Sequence, residues 1–77
     1  MSLKILFFGQ LTDITKKNEI ITPFFEDTNT LINFLEKEYK GLKNAEYTLA
    51  VNKNIVKENK VLHQNDEIAL LPPFSGG

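Results

Sequence analysis

Asp27-Thr28-Asn29-Thr30-Leu31-Ile32-Asn33-Phe34-Leu35-Glu36-Lys37-Glu38-Tyr39-Lys40-Gly41-Leu42 is the one stretch of this chain with a sustained helical period. Leu31, Phe34, Leu35, Tyr39 and Leu42 recur at spacings of three and four, while Asn33, Glu36, Lys37 and Lys40 fall on the opposite side. Asp27 or Thr28 supplies an N-cap oxygen, and Glu26 suits the positive end of the helix dipole. Lys37 and Lys40 suit the other end, where Gly41 reads as the αL cap. A helix of about 13 residues, about 20 Å long, covers one face of a small sheet but not two. The second face is left to water or to a partner.

The segments on either side of this helix read as strands. Leu3 to Phe8 alternates, with Leu3, Ile5 and Phe7 pointing one way and Lys4, Leu6 and Phe8 the other. Gly9 breaks the run, and Leu11 with Ile14 suggests a turn or two of helix before a polar connection through Thr15-Lys16-Lys17-Asn18. Glu19 to Thr22 reads as a second strand ended by Pro23. Beyond the helix, Thr48 to Asn52 and Ile55 to Lys57 flank a turn at Asn52-Lys53-Asn54, where Asn accepts positive φ. Val61 and Leu62 form a small apolar anchor, Gln64-Asn65-Asp66 a turn, and Glu67 to Leu71 the last strand. The class is α+β, with a mixed sheet of about five strands and one main helix on one face.

At 77 residues the chain is one domain at most, and a domain this size buries only about 60% of its unfolded surface. Apolar residues make up 42% and charged residues 25%, the balance of an ordinary globular domain. The apolar runs fall far short of the roughly 20 residues that cross a bilayer, and no charged leader precedes one, so the expected location is the cytoplasm without membrane association. Nine lysines face ten acids with no arginine and no basic stripe, which argues against a nucleic-acid surface. The absence of cysteine excludes a disulfide scaffold, a thiolate nucleophile and a Cys-type zinc site. The single histidine, His63, lies in a polar connection without a second ligand and reads as an exposed loop residue. Glu36 and Glu38 diverge on the helix and read as a solvated face. No glycine-rich loop is present to cradle a nucleotide. The residues therefore offer no metal, no bound cofactor and no catalytic constellation within the chain.

What remains is Leu71-Pro72-Pro73-Phe74-Ser75-Gly76-Gly77. Two prolines cannot donate to a ladder and each sets its own φ, so residues 1–71 read as the domain and 72–77 as a flexible tail that leaves it. Gly76 and Gly77 carry no Cβ, which makes a narrow end able to thread a tight channel and present the carboxylate of Gly77 for reaction. Glycine-rich ends are also commonly frayed and functionless.

With Lys4-Ile5-Leu6-Phe7-Phe8-Gly9, Leu49-Ala50-Val51-Asn52, Asn65-Asp66-Glu67-Ile68-Ala69-Leu70-Leu71-Pro72-Pro73 and the closing Phe74-Ser75-Gly76-Gly77, the chain resembles, over essentially its full length, the MoaD/ThiS family of ubiquitin-like sulfur carriers, at its molybdopterin synthase small-subunit branch. It departs from the family pattern at Asn65, where glycine is usual, and at Thr12, where arginine is common. Asn tolerates the αL region, so the first change is mild. The resemblance implies a β-grasp, or ubiquitin-like, fold. It also implies that Gly77, with Gly76 before it, is adenylated in trans by an E1-like enzyme that uses ATP. On the same resemblance the end would then be converted to a thiocarboxylate and donate sulfur to a pterin precursor inside the large synthase subunit. The resemblance further implies a chain that is non-catalytic alone and serves as the sulfur-donating subunit of a heterotetrameric synthase.

Strand alternation leaves Phe8, Leu71 and Ile55 on the face that the helix does not cover, near Phe74 of the tail, and these four are the expected partner interface. Leu3, Ile5, Phe7, Leu49, Val51, Ile68 and Leu70 are assigned to the core beneath the helix. Three other readings stand beside this one. A ubiquitin-like protein modifier would join Gly77 to a lysine, a thiamin-type carrier would pass sulfur to another acceptor, and a regulatory β-grasp module would make no use of the tail.

Overall fold

The computed structural model describes residues 1–73 and places one sheet under one main helix. Strand β1 is Ser2–Phe7, helix α1 Gln10–Thr15, β2 Glu19–Pro23, helix α2 Thr28–Glu38, β3 Thr48–Val51, β4 Asn54–Val56 and β5 Glu67–Leu71, with a 3-10 turn at Lys40–Asn44. The strand order is β2-β1-β5-β3-β4. Only β1 and β5 run parallel, with Lys4 opposite Glu67 and Phe7 opposite Leu70. The other pairings are antiparallel, so the sheet is mixed.

Leu3, Ile5 and Phe7 of β1 are buried and alternate with partly exposed neighbours, and Ile68 and Leu70 of β5 do the same. They meet Leu31 and Leu35 of α2, Leu11 of α1, Leu42, Val51 and Leu62 in a single core. Each such side chain contributes about 1.5–3 kcal/mol by leaving water. Leu49 is partly buried at the margin of this core rather than inside it. Val61 is exposed and makes a lone backbone bridge to Asp27, so Leu62 alone anchors that loop.

Helix α2 starts where its capping residues dictate. Asp27 is extended, and its carboxylate accepts the Thr30 N–H at 2.9 Å. Its far end differs from the sequence expectation. The helix runs for 11 residues and stops at Glu38, because Tyr39 leaves helical geometry at φ −125 and ψ 87. Tyr39 thereby packs edge-on against Phe7, with ring centroids 5.9 Å apart. Gly41 is not an αL cap, since it lies within the 3-10 turn that buries Leu42. A Cβ there would lie 2.9 Å from Ile14 Cγ2, so glycine lets this turn approach α1. Glu36 also departs from a purely solvated role, accepting the Tyr47 hydroxyl at 2.9 Å. Burial, reinforced by that bond and by the Glu36 charge, raises the Tyr47 phenol well above its ordinary range.

The β3–β4 hairpin turns on two residues, Asn52 at φ 49 and Lys53 at φ 73, the double positive φ that suits the twist of paired strands. Asn65, at φ 68, takes the left-handed conformation that its position demands. No helix among the described residues is long and apolar enough to cross a membrane.

Candidate functional site

The helix covers the face of Leu3, Ile5 and Phe7, so the other face of the sheet lies open, and the register fixes what it displays. Across its middle run Glu19, Leu6, Ala69, Ala50 and Ile55, each opposite the next. Nearer the start of β1, Lys4 stands between Ile21 and Glu67, and its ammonium reaches Glu19 at 4.0 Å. At the other end Leu71 stands opposite Thr48. The Phe8 N–H continues the ladder to the Leu70 carbonyl at 3.2 Å, which keeps Phe8 on the side of Leu6. The face is thus charged at one end and apolar at the end where β5 finishes.

Phe8 is 44% exposed and Ile55 45%, both large and apolar, while Leu71 is half-buried. Between them Ala50 is only 4% exposed despite its place on the uncovered face, because a methyl side chain on an inner strand is shaded by its neighbours. The register thus sets Ala50 and Ala69 side by side between Leu6 and Ile55, with Leu71 and Phe8 towards the apolar end. Sequence alternation picks out the large residues. The two alanines are missed because small residues carry little hydropathy signal, and only the register puts them side by side.

The end of β5 leads into Pro72, half-buried, and Pro73, exposed. Pro72 rests on Gly9, where a Cβ would lie 2.8 Å from its Cγ. Phe74, Ser75, Gly76 and Gly77, the rest of the expected interface and tail, lie outside the described residues.

A polar cluster around Asp66 is structural. Asp66, almost fully buried, accepts the Asn52 side-chain amide at 2.9 Å and the His63 N–H at 2.8 Å. Burial alone would raise its carboxyl. The bonds from Asn52 and His63, with the charges of His63 and Lys60, outweigh that and hold it below the ordinary 3.8. Asn52 in turn accepts the Glu67 N–H at 3.0 Å, so this cluster ties the β3–β4 turn to the start of β5. The His63 side chain is exposed, with its ring 3.9 Å from Asp66. No group of three potential metal ligands occurs among the described residues.

A five-stranded mixed sheet with one main helix, a central strand that ends in a proline pair and an uncovered apolar face is the β-grasp, or ubiquitin-like, class of carrier domain. Within that class the chain belongs to the ThiS family, whose model matches residues 5–77. It is similar to the molybdopterin synthase sulfur carrier subunit of Dictyostelium discoideum, at 31% identity over 81 residues covering 96% of this chain and 94% of that protein. It is equally similar to a chain in the complex of subunits 1 and 2 of the molybdopterin-converting factor of Helicobacter pylori, at 31% identity and a TM-score of 0.75 with both chains fully covered. The small archaeal modifier protein 1 of Methanosarcina acetivorans shares the fold, with a TM-score of 0.81 and 23% identity over 99% of this chain and 96% of that one.

Proposed function

We propose that this chain is the sulfur carrier subunit of a molybdopterin synthase, with the carboxylate of Gly77 as its reactive end. The observation that carries the reading is the exit of β5. This central strand ends at Leu71, at the apolar end of the uncovered face, and passes directly into Pro72 and Pro73. A partner that covers Phe8, Leu71 and Ile55 is thereby placed to take hold of the chain that follows. The match of the family model through residue 77 supports the same assignment for Gly76 and Gly77.

A carboxylate is a poor acylating group at neutral pH, and this chain offers no residues to activate one. Activation therefore comes in trans from an E1-like enzyme. A carboxylate oxygen of Gly77 attacks the α-phosphorus of ATP and pyrophosphate leaves, giving an acyl adenylate. Hydrosulfide then attacks the acyl carbon and AMP leaves, and the thiocarboxylic acid so formed loses its proton to give a soft nucleophile that stays ionised at neutral pH. The large synthase subunit is the partner in which that sulfur passes to a pterin precursor. ATP belongs to the activating enzyme, the chain itself holds no cofactor, and the whole sequence is placed in the cytoplasm.

The test is the intact mass of the chain after incubation with its activating enzyme, ATP and a sulfur source. The expected product is heavier by the difference between sulfur and oxygen, at Gly77 only. Capture of the chain on lysines of other proteins, without that mass shift, would establish the modifier reading instead.

A further inference from the structure

In the sequence Gly9 is simply the break after the first strand, but its surroundings assign it a second task. Its backbone sits at φ 56 and ψ −134, a conformation that side chains with a Cβ rarely adopt. A Cβ there would lie 2.8 Å from Cγ of Pro72, 3.5 Å from Cδ and 3.6 Å from Cβ, so the proline ring occupies the space that a side chain would need. The Gly9 carbonyl is itself fixed by Thr12, which donates its N–H at 3.1 Å and its hydroxyl at 2.8 Å. On the far side, Pro72 and Pro73 border a groove of about 300 Å³ with Leu11, Ile14 and Ala45.

We propose that Gly9, held by Thr12, is a positioning residue for the tail: its bare α-carbon seats Pro72 and so sets the direction in which residues 74–77 are presented to the activating enzyme. The inference rests on the reading of Gly77 as the reactive end. Two successive prolines have fixed φ, and each restricts the residue before it, so a deflection at Pro72 is passed on rather than absorbed. At about 3 Å of rise per residue in an extended proline segment, a tilt of about 20° at Pro72 moves the far end of Pro73 by roughly 2 Å. A chain that leaves Pro73 in another direction must bend back before its end can be engaged, and that lowers the fraction of productive encounters.

The experiment measures pyrophosphate release by the activating enzyme as a function of the concentration of the full chain. Wild type is compared with Gly9→Ala, Pro72→Ala, the double variant and Thr12→Val, at a temperature where calorimetry shows every chain folded. Gly9→Ala is expected to lower kcat/KM by about tenfold or more. Once the ring is removed by Pro72→Ala, the same Gly9→Ala change is expected to cost less than about threefold, because nothing remains for the methyl to displace. Equal losses in both backgrounds would overturn the proposal, since Gly9 would then act only through its own strained backbone. Thr12→Val leaves Gly9 without a Cβ and carries the test if Gly9→Ala does not fold. Its expected loss is about threefold, and wild-type kinetics would count against the seat.

If the wild-type chain releases no pyrophosphate, the proposed function fails while the seat is still measured, by residual dipolar couplings of the backbone amides of residues 74–77. Couplings that change on Gly9→Ala while those of the sheet stay fixed support the seat. Unchanged tail couplings overturn it.

Discussion

The Phe8 N–H bonds the Leu70 carbonyl at 3.2 Å and so closes the parallel β1–β5 ladder just past its last pair, Phe7 with Leu70. Burying a large apolar side chain contributes about 1.5–3 kcal/mol, and a lysine buried there without a partner charge adds a desolvation cost. Phe8→Lys is therefore expected to weaken binding to a large synthase subunit by at least about tenfold, since about 1.4 kcal/mol is one decade. The melting temperature should hardly change, because Phe8 is 44% exposed and lies outside the core. Titration calorimetry together with a thermal melt checks both statements. A mutant that unfolds yet keeps its affinity per folded molecule would reverse the assignment of the two faces.

Gly77 and Gly76 separate function from folding. Every residue of the described core lies between Leu3 and Leu70, so deletion of Gly77 should leave the thermal transition in place while abolishing thiocarboxylate formation. Gly76→Val should do nearly the same, because a β-branched side chain both restricts the backbone and fills a channel shaped for glycine. Mass spectrometry of the treated chains reads the outcome, and normal sulfur loading of the valine variant would contradict the channel argument.

Asn59 caps α2 from the far side of the sequence. Its side-chain carbonyl accepts the Asn29 N–H at 2.8 Å and the Thr28 hydroxyl at 3.2 Å, and its amide reaches Asp27 at 3.3 Å. Asn59→Ala removes these bonds and is expected to cost about 1–2 kcal/mol. In a domain of this size that lowers the melting temperature by roughly 4–16 °C. Denaturant unfolding should show a lower midpoint with an unchanged slope.

Acid stability follows from Asp66. Its folded pKa lies below the ordinary 3.8, so the folded state binds its proton less readily than the unfolded chain does. The stabilisation is therefore fully present above about pH 5 and lost as pH falls through 3.8 towards the folded value. Asp27, lowered by the Thr30 N–H and then by its side-chain bonds to Thr30 and Asn59, titrates in the same direction. Asp66→Ala strands the Asn52 amide and the His63 N–H. It is expected to cost about 2 kcal/mol at pH 7 and to flatten the fall in melting temperature between about pH 5 and pH 3. An unchanged acid slope in that variant would show that other carboxylates set it.

Much of this architecture is legible residue by residue. The alternation of Leu3, Ile5 and Phe7 against Lys4, Leu6 and Phe8 is a property of the strand period, and it placed β1 correctly in the sheet. The spacing of Leu31 and Leu35 after Asp27 marked the helix and its cap in the same local way. Phe8, Leu71 and Ile55 followed as candidates for the open face, since parity along a strand needs no knowledge of its neighbours. The end of α2 is not legible in this way, because Gly41 has the residue type of a cap whereas the actual stop is made by Tyr39 turning to meet Phe7.

By itself, then, the sequence determined the element order, the single long amphipathic helix, the core face of β1, β3 and β5 and the family, all of which rest on local period or on motif identity. Only the tertiary structure decided what lies beside what. The parallel pairing of β1 with β5, the Ala50 and Ala69 pair between Leu6 and Ile55, the capping of α2 by Asn59 and the seating of Pro72 on Gly9 join segments distant in the chain. Such contacts depend on sheet register and on how loops close, and neither leaves a trace in the residue types on one side alone. Gly9 shows why: as a lone glycine after a strand it has several explanations, and the ring of Pro72 at 2.8 Å from its missing Cβ selects among them.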